Sequence, residues 1–87
     1  MNVEPIRVLL VDDSLLFRRG LLSLLQAVDD IEVVGEASDG REALEKAETL
    51  MPDVILMDVR MPDWDGLTAT RLIKEQMPYV KLSLIHI

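Results

Sequence analysis

The feature that most restricts the fold of this chain is an apolar run at residues 54–57 that ends on the carboxylate of Asp58. Such a run has no alternation of polar and apolar residues, so it predicts a strand covered on both faces, in the middle of a parallel α/β sheet. Asp58 would then lie at the carboxyl end of that strand. Ligands of open α/β sheets bind in the crevice outside those ends, so we predict a functional role for Asp58.

A second apolar run, at residues 6–11, ends on the adjacent pair Asp12 and Asp13 just before a predicted helix. If the two strands are parallel neighbours, Asp12, Asp13 and Asp58 meet at one edge of the sheet, where carboxylates a few ångströms apart repel each other. Mg²⁺ prefers oxygen ligands and relieves such repulsion, so the three residues predict a magnesium site. The structural alternatives are a turn at Asp58 and a favourable charge at the helix N-terminus for the pair.

Strands and helices alternate along the rest of the chain. Residues 31–36 and 81–87 predict two more strands, and helices are predicted after the N-cap Ser14, after Asp39-Gly40 and from residue 67 to residue 77. In the first helix the spacing predicts a polar face that includes Arg18 and an inward apolar face made of Phe17, Leu21, Leu24, Leu25 and Val28. In the second helix Glu42 and Lys46 have the spacing of an ion pair. This order predicts an α/β class with a parallel sheet.

Composition excludes several functions. Nine basic residues against sixteen acidic ones give a net charge of −7, which argues against nucleic-acid binding by this domain itself. The chain has no Cys, so disulfides and thiolate metal sites are excluded. It also lacks an apolar span of bilayer length, so we predict a cytoplasmic protein without membrane contact. Residues 1–5 are interpreted as a leader, and residues 6–87 as one small domain.

Several short motifs follow one another in a fixed order: residues 8–13, 17–21, 33–37 and 52–58, then Met61-Pro62 and Asp65-Gly66. Each motif alone is weak, but the ordered set resembles the receiver domain of two-component response regulators, most closely those of the NarL/FixJ type. The resemblance covers nearly the whole chain. It implies a flavodoxin-like, doubly wound parallel sheet with strand order 2-1-3-4.

The same resemblance implies a role for individual residues. Asp58 would be the phosphoacceptor, Asp12 and Asp13 would serve Mg²⁺, and the backbone carbonyl of Arg60 would be a further metal ligand. The implied partners are a histidine kinase and a DNA-binding output domain in a longer protein. The chain would be a self-phosphorylating switch and not a turnover enzyme. The alternative of a dehalogenase-like phosphohydrolase needs a second Asp two residues after the nucleophile, where this chain has Arg60.

The last residues depart from the family pattern. A full receiver continues through a fourth helix, a fifth strand carrying a Lys and a fifth helix, so we interpret residues 6–87 as a partial receiver. His86 aligns with the Ser or Thr expected at the end of the fourth strand. This departure favours the alternative of a pseudo-receiver that binds partners without productive phosphorylation. An uncovered C-terminal strand also predicts that the chain either forms a homodimer or is prone to aggregation through this strand. Trp64 is expected to face solvent.

Overall fold

Four strands and three helices alternate along the described part of the chain, in the order that the sequence predicts. The computed structural model describes residues 4–58 and 66–85. The elements, in chain order, are β1 Ile6–Val11, α1 Leu15–Gln26, β2 Ile31–Ala37, α2 Gly40–Leu50, β3 Val54–Asp58, α3 Gly66–Gln76 and β4 Lys81–Ile85. The predictions for Trp64 and His86 concern residues outside the described ranges. None of the described helices combines the length and the apolar character needed to cross a bilayer.

The four strands form one parallel sheet in the order β2-β1-β3-β4. The predicted strand order is therefore confirmed. The strands with the strongest apolar runs, β1 and β3, lie in the middle, where both faces of a sheet are covered. Val11 pairs with Met57 in this register, so the residues that follow these two, Asp12 and Asp58, leave the sheet at the same edge.

The main core lies between the sheet and the helices α2 and α3. Strand side chains that point to this face are fully buried together with Ala43 and Ala47 of α2 and with Ala69 and Ile73 of α3. Val8 and Leu10 alternate with the core residues of β1 and are also buried, on the face that carries α1. Each large side chain buried in this way contributes about 1.5 to 3 kcal/mol to folding. The core thereby fixes the strand ends that carry Asp12 and Asp58.

Helix α1 is rotated relative to the face that the sequence predicts. Leu24 is 71% exposed and Val28 is 43% exposed, so their predicted inward position is wrong. The partly buried residues of the helix are Phe17, Arg18, Leu21, Leu22 and Leu25. Successive residues of a helix differ by about 100°, which places Arg18 in line with Leu22 and Leu25. The sequence predicts Arg18 on the polar face of α1, opposite the apolar face, but the side chain faces the end of the sheet, where it donates to Glu36 and to the Asp12 carbonyl.

The N-terminus of α2 corrects a second prediction. The Asp39 carboxylate caps the helix by accepting from the Glu42 N–H at 2.8 Å, and Glu42 Oε1 accepts from the Ser38 N–H at 2.6 Å. Lys46 Nζ donates to the backbone carbonyl of Glu36. The predicted ion pair between Glu42 and Lys46 is therefore wrong, since helix capping and the end of β2 engage the two side chains instead.

Candidate functional site

Three carboxylates meet at the carboxyl edge of the sheet. Asp12 follows β1, its N–H donates to the Ala37 carbonyl of β2 at 3.0 Å, and Asp58 is the last residue of β3. Asp13 comes next along the chain. One carboxylate oxygen from each of Asp12, Asp13 and Asp58 lies within 4.8 Å of the other two. We call these three residues the acidic cluster. The structure thus brings together the three side chains that the strand ends predict to converge.

Asp12 is the most constrained member of the acidic cluster. Its side chain is only 3% exposed, and Oδ1 accepts from the Ser14 N–H at 2.7 Å. Oδ2 is buried and has no hydrogen-bond partner among the residues that the structure describes. Burial raises the pKa of the Asp12 carboxyl, the Ser14 N–H opposes that rise, and the charges of Asp58 and Asp13 add to it. The fold therefore holds the buried Asp12 Oδ2 close to the carboxylates of Asp13 and Asp58.

The donor set of the acidic cluster fits a hard divalent cation. All three members offer carboxylate oxygens, which suit Mg²⁺, Ca²⁺ or Mn²⁺ better than softer metals. A cation would supply a partner for Asp12 Oδ2, which has none among the described residues. It would also offset the burial of the Asp12 charge and its repulsion by Asp58 and Asp13, which together raise the pKa of Asp12. Asp58 is 5% exposed whereas Asp13 is exposed, so solvent reaches the cluster on the side of Asp13.

A basic side chain that the sequence interpretation missed lies beside the acidic cluster. Arg18 Nη1 donates to the Asp12 carbonyl at 2.5 Å, and Arg18 Nε donates to Glu36 Oε1 at 3.0 Å. The guanidinium charge lowers the pKa of Asp12 and so partly opposes the effect of burial. A signal for this residue exists in the sequence. Arg18 precedes Leu21, Leu22 and Leu25 by three, four and seven residues, so it continues a second apolar stripe of α1.

One predicted ligand cannot be compared with the structure. The backbone carbonyl of Arg60 lies outside the described residues, so its contribution to a metal site stays a prediction. Residues 59–65, which follow β3, all lie outside the described ranges. The described part of the site therefore consists of the acidic cluster, with Ser14, Arg18 and Glu36 around it.

Comparison with known proteins gives consistent matches. Residues 8–86 match the family described as the response regulator receiver domain. The response regulator protein VraR of Staphylococcus saprophyticus is 47% identical over 81 residues, which are 93% of this chain and 39% of VraR. A protein-glutamate methylesterase/protein-glutamine glutaminase of Alkalilimnicola ehrlichii is 53% identical over 73 residues, 84% of this chain but 19% of the enzyme. The chain thus spans two fifths or less of the length of these relatives.

The fold agrees with a solved receiver domain. The signal receiver domain of NarL from Mycobacterium tuberculosis superposes with a TM-score of 0.90 at 38% identity, over 97% of this chain and 68% of that chain. The agreement includes the parallel sheet with order β2-β1-β3-β4, whose carboxyl edge carries the acidic cluster. Because the family match extends over nearly all of the sequence and the fold follows it, this chain belongs to the response regulator receiver domain family.

Proposed function

We propose that this chain is the phosphoacceptor module of a two-component phosphorelay and that Asp58 accepts a phosphoryl group from a histidine kinase. Receiver domains of response regulators are signalling modules, and this chain belongs to that family. The observation that carries the residue assignment is the acidic cluster. Asp58 is its member at the end of the central strand β3, opposite the pair Asp12 and Asp13. Family membership argues against the phosphohydrolase alternative.

The reaction transfers a phosphoryl group to a carboxylate. An oxygen of Asp58 forms a bond to phosphorus while the bond between phosphorus and the imidazole nitrogen of the donor breaks, and the nitrogen keeps that electron pair. The product is an acyl phosphate on Asp58. The chain thereby changes its own covalent state and returns to its starting form only on hydrolysis. We therefore assign it as a switch that phosphorylates itself and not as a turnover enzyme.

Charge is the main obstacle to this transfer. An anionic phosphoryl group must approach a carboxylate that already has Asp12 and Asp13 within 4.8 Å. We propose that Asp12, Asp13, Asp58 and the backbone carbonyl of Arg60 hold Mg²⁺ for this reason. The bound ion supplies compensation for the negative charge on the transferring oxygens. Two observations support the assignment: Asp12 Oδ2 is buried without a hydrogen-bond partner among the described residues, and the pKa of Asp12 is raised.

Labelling with a small phosphodonor tests the proposal. Incubation of the chain with acetyl phosphate and Mg²⁺, followed by intact mass, is expected to show the addition of one phosphoryl group. Asp58→Asn should abolish the addition because the amide replaces the attacking oxygen. Asp53→Asn is the matched control, since Asp53 lies just before the other end of β3 and its carboxylate accepts from the Arg7 N–H. Equal labelling of the Asp58 variant and the wild type would refute Asp58 as the site.

The wider setting follows from the resemblance to NarL/FixJ-type regulators. We propose that the chain is the N-terminal part of a cytoplasmic transcription regulator whose DNA contacts are made by a separate output domain. Two observations support a separate DNA-binding domain: the chain matches only 39% of the length of VraR, and its net charge of −7 disfavours contact with DNA by this domain. We further propose a homodimer through β4, which forms one edge of the described sheet.

A further inference from the structure

Arg18 links three parts of the fold next to the acidic cluster. It belongs to the first turns of α1, its Nη1 donates to the backbone carbonyl of Asp12 at 2.5 Å, and its Nε donates to Glu36 Oε1 of β2 at 3.0 Å. The two side chains of this ion pair are largely buried, with 13% exposure for Arg18 and 23% for Glu36. Hydrogen bonds with an ionised partner are stronger than neutral ones, and the low local dielectric of a partly buried position strengthens them further.

The hydrogen bond from Arg18 to the Asp12 carbonyl affects the directions in which the side chains of Asp12 and Asp13 point. That carbonyl belongs to the peptide group between Asp12 and Asp13, and a planar peptide turns as one unit. The N–H of Asp12 already donates to the Ala37 carbonyl of β2 at 3.0 Å. With both flanking peptide groups held, the backbone at Asp12 has little freedom to rotate. The hydrogen bonds of Arg18 therefore set how Asp12 and Asp13 leave the strand.

We propose that Arg18 is a positioning residue of the acidic cluster. Anchored by Glu36, it holds the peptide between Asp12 and Asp13 so that both carboxylates face Asp58, and it thereby increases the affinity of the cluster for a divalent cation. The inference rests on the proposed function insofar as that function requires Mg²⁺ at the cluster. It adds a residue that neither binds the cation nor accepts the phosphoryl group.

A purely electrostatic role would have the opposite sign. Arg18 is itself a cation, so its charge alone repels a divalent cation, and its removal would tighten Mg²⁺ binding. The ion pair with Glu36 offsets much of that repulsion, and the positioning effect remains. Removal of a group that orients metal ligands typically weakens binding about 10- to 100-fold. The direction of the change therefore separates the two roles.

The experiment is a calorimetric titration with Mg²⁺ in the absence of any phosphodonor. Arg18→Ala is expected to bind Mg²⁺ about tenfold more weakly than the wild type. Arg19→Ala is the matched control, because Arg19 is 63% exposed and approaches Glu36 Oε2 at only 3.9 Å. The affinity of Arg19→Ala for Mg²⁺ should stay within about twofold of the wild-type value, because an exposed ion pair contributes little energy. Unchanged or tighter binding in Arg18→Ala would overturn the inference.

Two further variants keep the test decisive if Arg18→Ala fails to fold. Arg18→Lys keeps the charge but has no planar fork to reach both acceptors, so we expect binding weaker than in the wild type. Glu36→Gln keeps the guanidinium and removes its charged anchor, so it should also weaken binding, although the loss of a negative charge would do so on either account. Arg18→Lys is therefore the deciding variant, and wild-type affinity in Arg18→Lys, or a wild type that binds no Mg²⁺, would overturn the inference.

A kinetic readout distinguishes positioning from a general loss of stability. With acetyl phosphate, Arg18→Ala should need more Mg²⁺ for half-maximal labelling and should reach the wild-type rate at saturating Mg²⁺. A lowered maximal rate with an unchanged Mg²⁺ requirement would count against positioning. A wild type that binds Mg²⁺ but accepts no phosphoryl group would refute the proposed function, and the calorimetric comparison would still decide the role of Arg18.

Discussion

Substitution of Gly35 in β2 tests how packing affects stability. The space around an added Cβ atom decides whether Gly35→Ala stabilises or destabilises the fold. A Cβ added at this position would lie 2.6 Å from Leu50 Cδ1 and 3.4 Å from Leu9 Cδ1. No described glycine has a positive φ, so steric space and not backbone conformation decides the effect. Gly35 also lies next to the register shift between β1 and β2 and directly before Glu36. The absence of a side chain lets Leu50 pack onto the strand.

The magnitude comes from two opposing effects. Leu50 is at the end of α2 and only partly buried, so its methyl group can yield, and the overpacking cost lies near the lower end of about 1 to 3 kcal/mol. Alanine also reduces the conformational freedom of the unfolded chain, which returns about 0.4 to 1 kcal/mol. We therefore expect Gly35→Ala to lower the free energy of unfolding by about 0.5 kcal/mol, and the Tm by about 2 to 4 °C.

The chain supplies its own control for this prediction. A Cβ added at Gly20 in α1 would meet nothing within 4 Å, so Gly20→Ala should stabilise the chain by about 0.5 to 1 kcal/mol. Urea unfolding followed by far-ultraviolet circular dichroism measures both variants. In a Leu50→Ala background the loss caused by Gly35→Ala should disappear, since the obstructing methyl group is gone. A Gly35→Ala variant as stable as the wild type would refute the steric reasoning.

Two further predictions concern the acidic cluster and the sheet edge. Because burial raises the pKa of Asp12 in the folded chain above its ordinary 3.8, ionisation of Asp12 opposes folding and stability falls as the pH rises through that interval. Without divalent cations Asp12→Asn should therefore be more stable than the wild type near neutral pH, but not well below pH 3.8, where the Asp12 carboxyl is protonated in both the folded and the unfolded chain. Thermal unfolding in EDTA measures this, and equal stability at neutral pH would contradict it. If β4 mediates a homodimer, light scattering should show a mass that rises with concentration and falls in Ile85→Lys, whereas a monomer at every concentration would exclude the dimer.

The strands of the sheet could be predicted because their signal is local. The apolar runs of β1 and β3 require cover on both faces, and the order of the motifs gives the strand order through the family resemblance. From that order the convergence of Asp12, Asp13 and Asp58 follows, since residues after neighbouring parallel strands share an edge. Each step uses either the residues of one strand or the family pattern.

The orientation of α1 could not be predicted because its sequence carries two overlapping apolar stripes. One contains Leu24 and Val28, and the other continues from Arg18 through Leu22 and Leu25. Helical periodicity alone does not choose between them. The structure selects the stripe with Arg18, where α1 contacts β1 and β2 and the guanidinium reaches Glu36. That choice depends on residues 18 positions apart, beyond the reach of a local pattern.

The features that stabilise the fold and those that form the site act against each other at Asp12. The buried core holds the strand ends rigidly, while the Asp12 carboxylate within it has a raised pKa and an oxygen without a hydrogen-bond partner in the described part of the chain. If the backbone could relax, Asp12 and Asp13 would turn apart toward solvent and the repulsion would fall. The hydrogen bonds of Arg18 and Ala37 to the peptide groups on either side of Asp12 oppose that relaxation. The repulsion among the three carboxylates therefore persists in the folded chain. Its relief by a bound cation would contribute favourably to the free energy of cation binding.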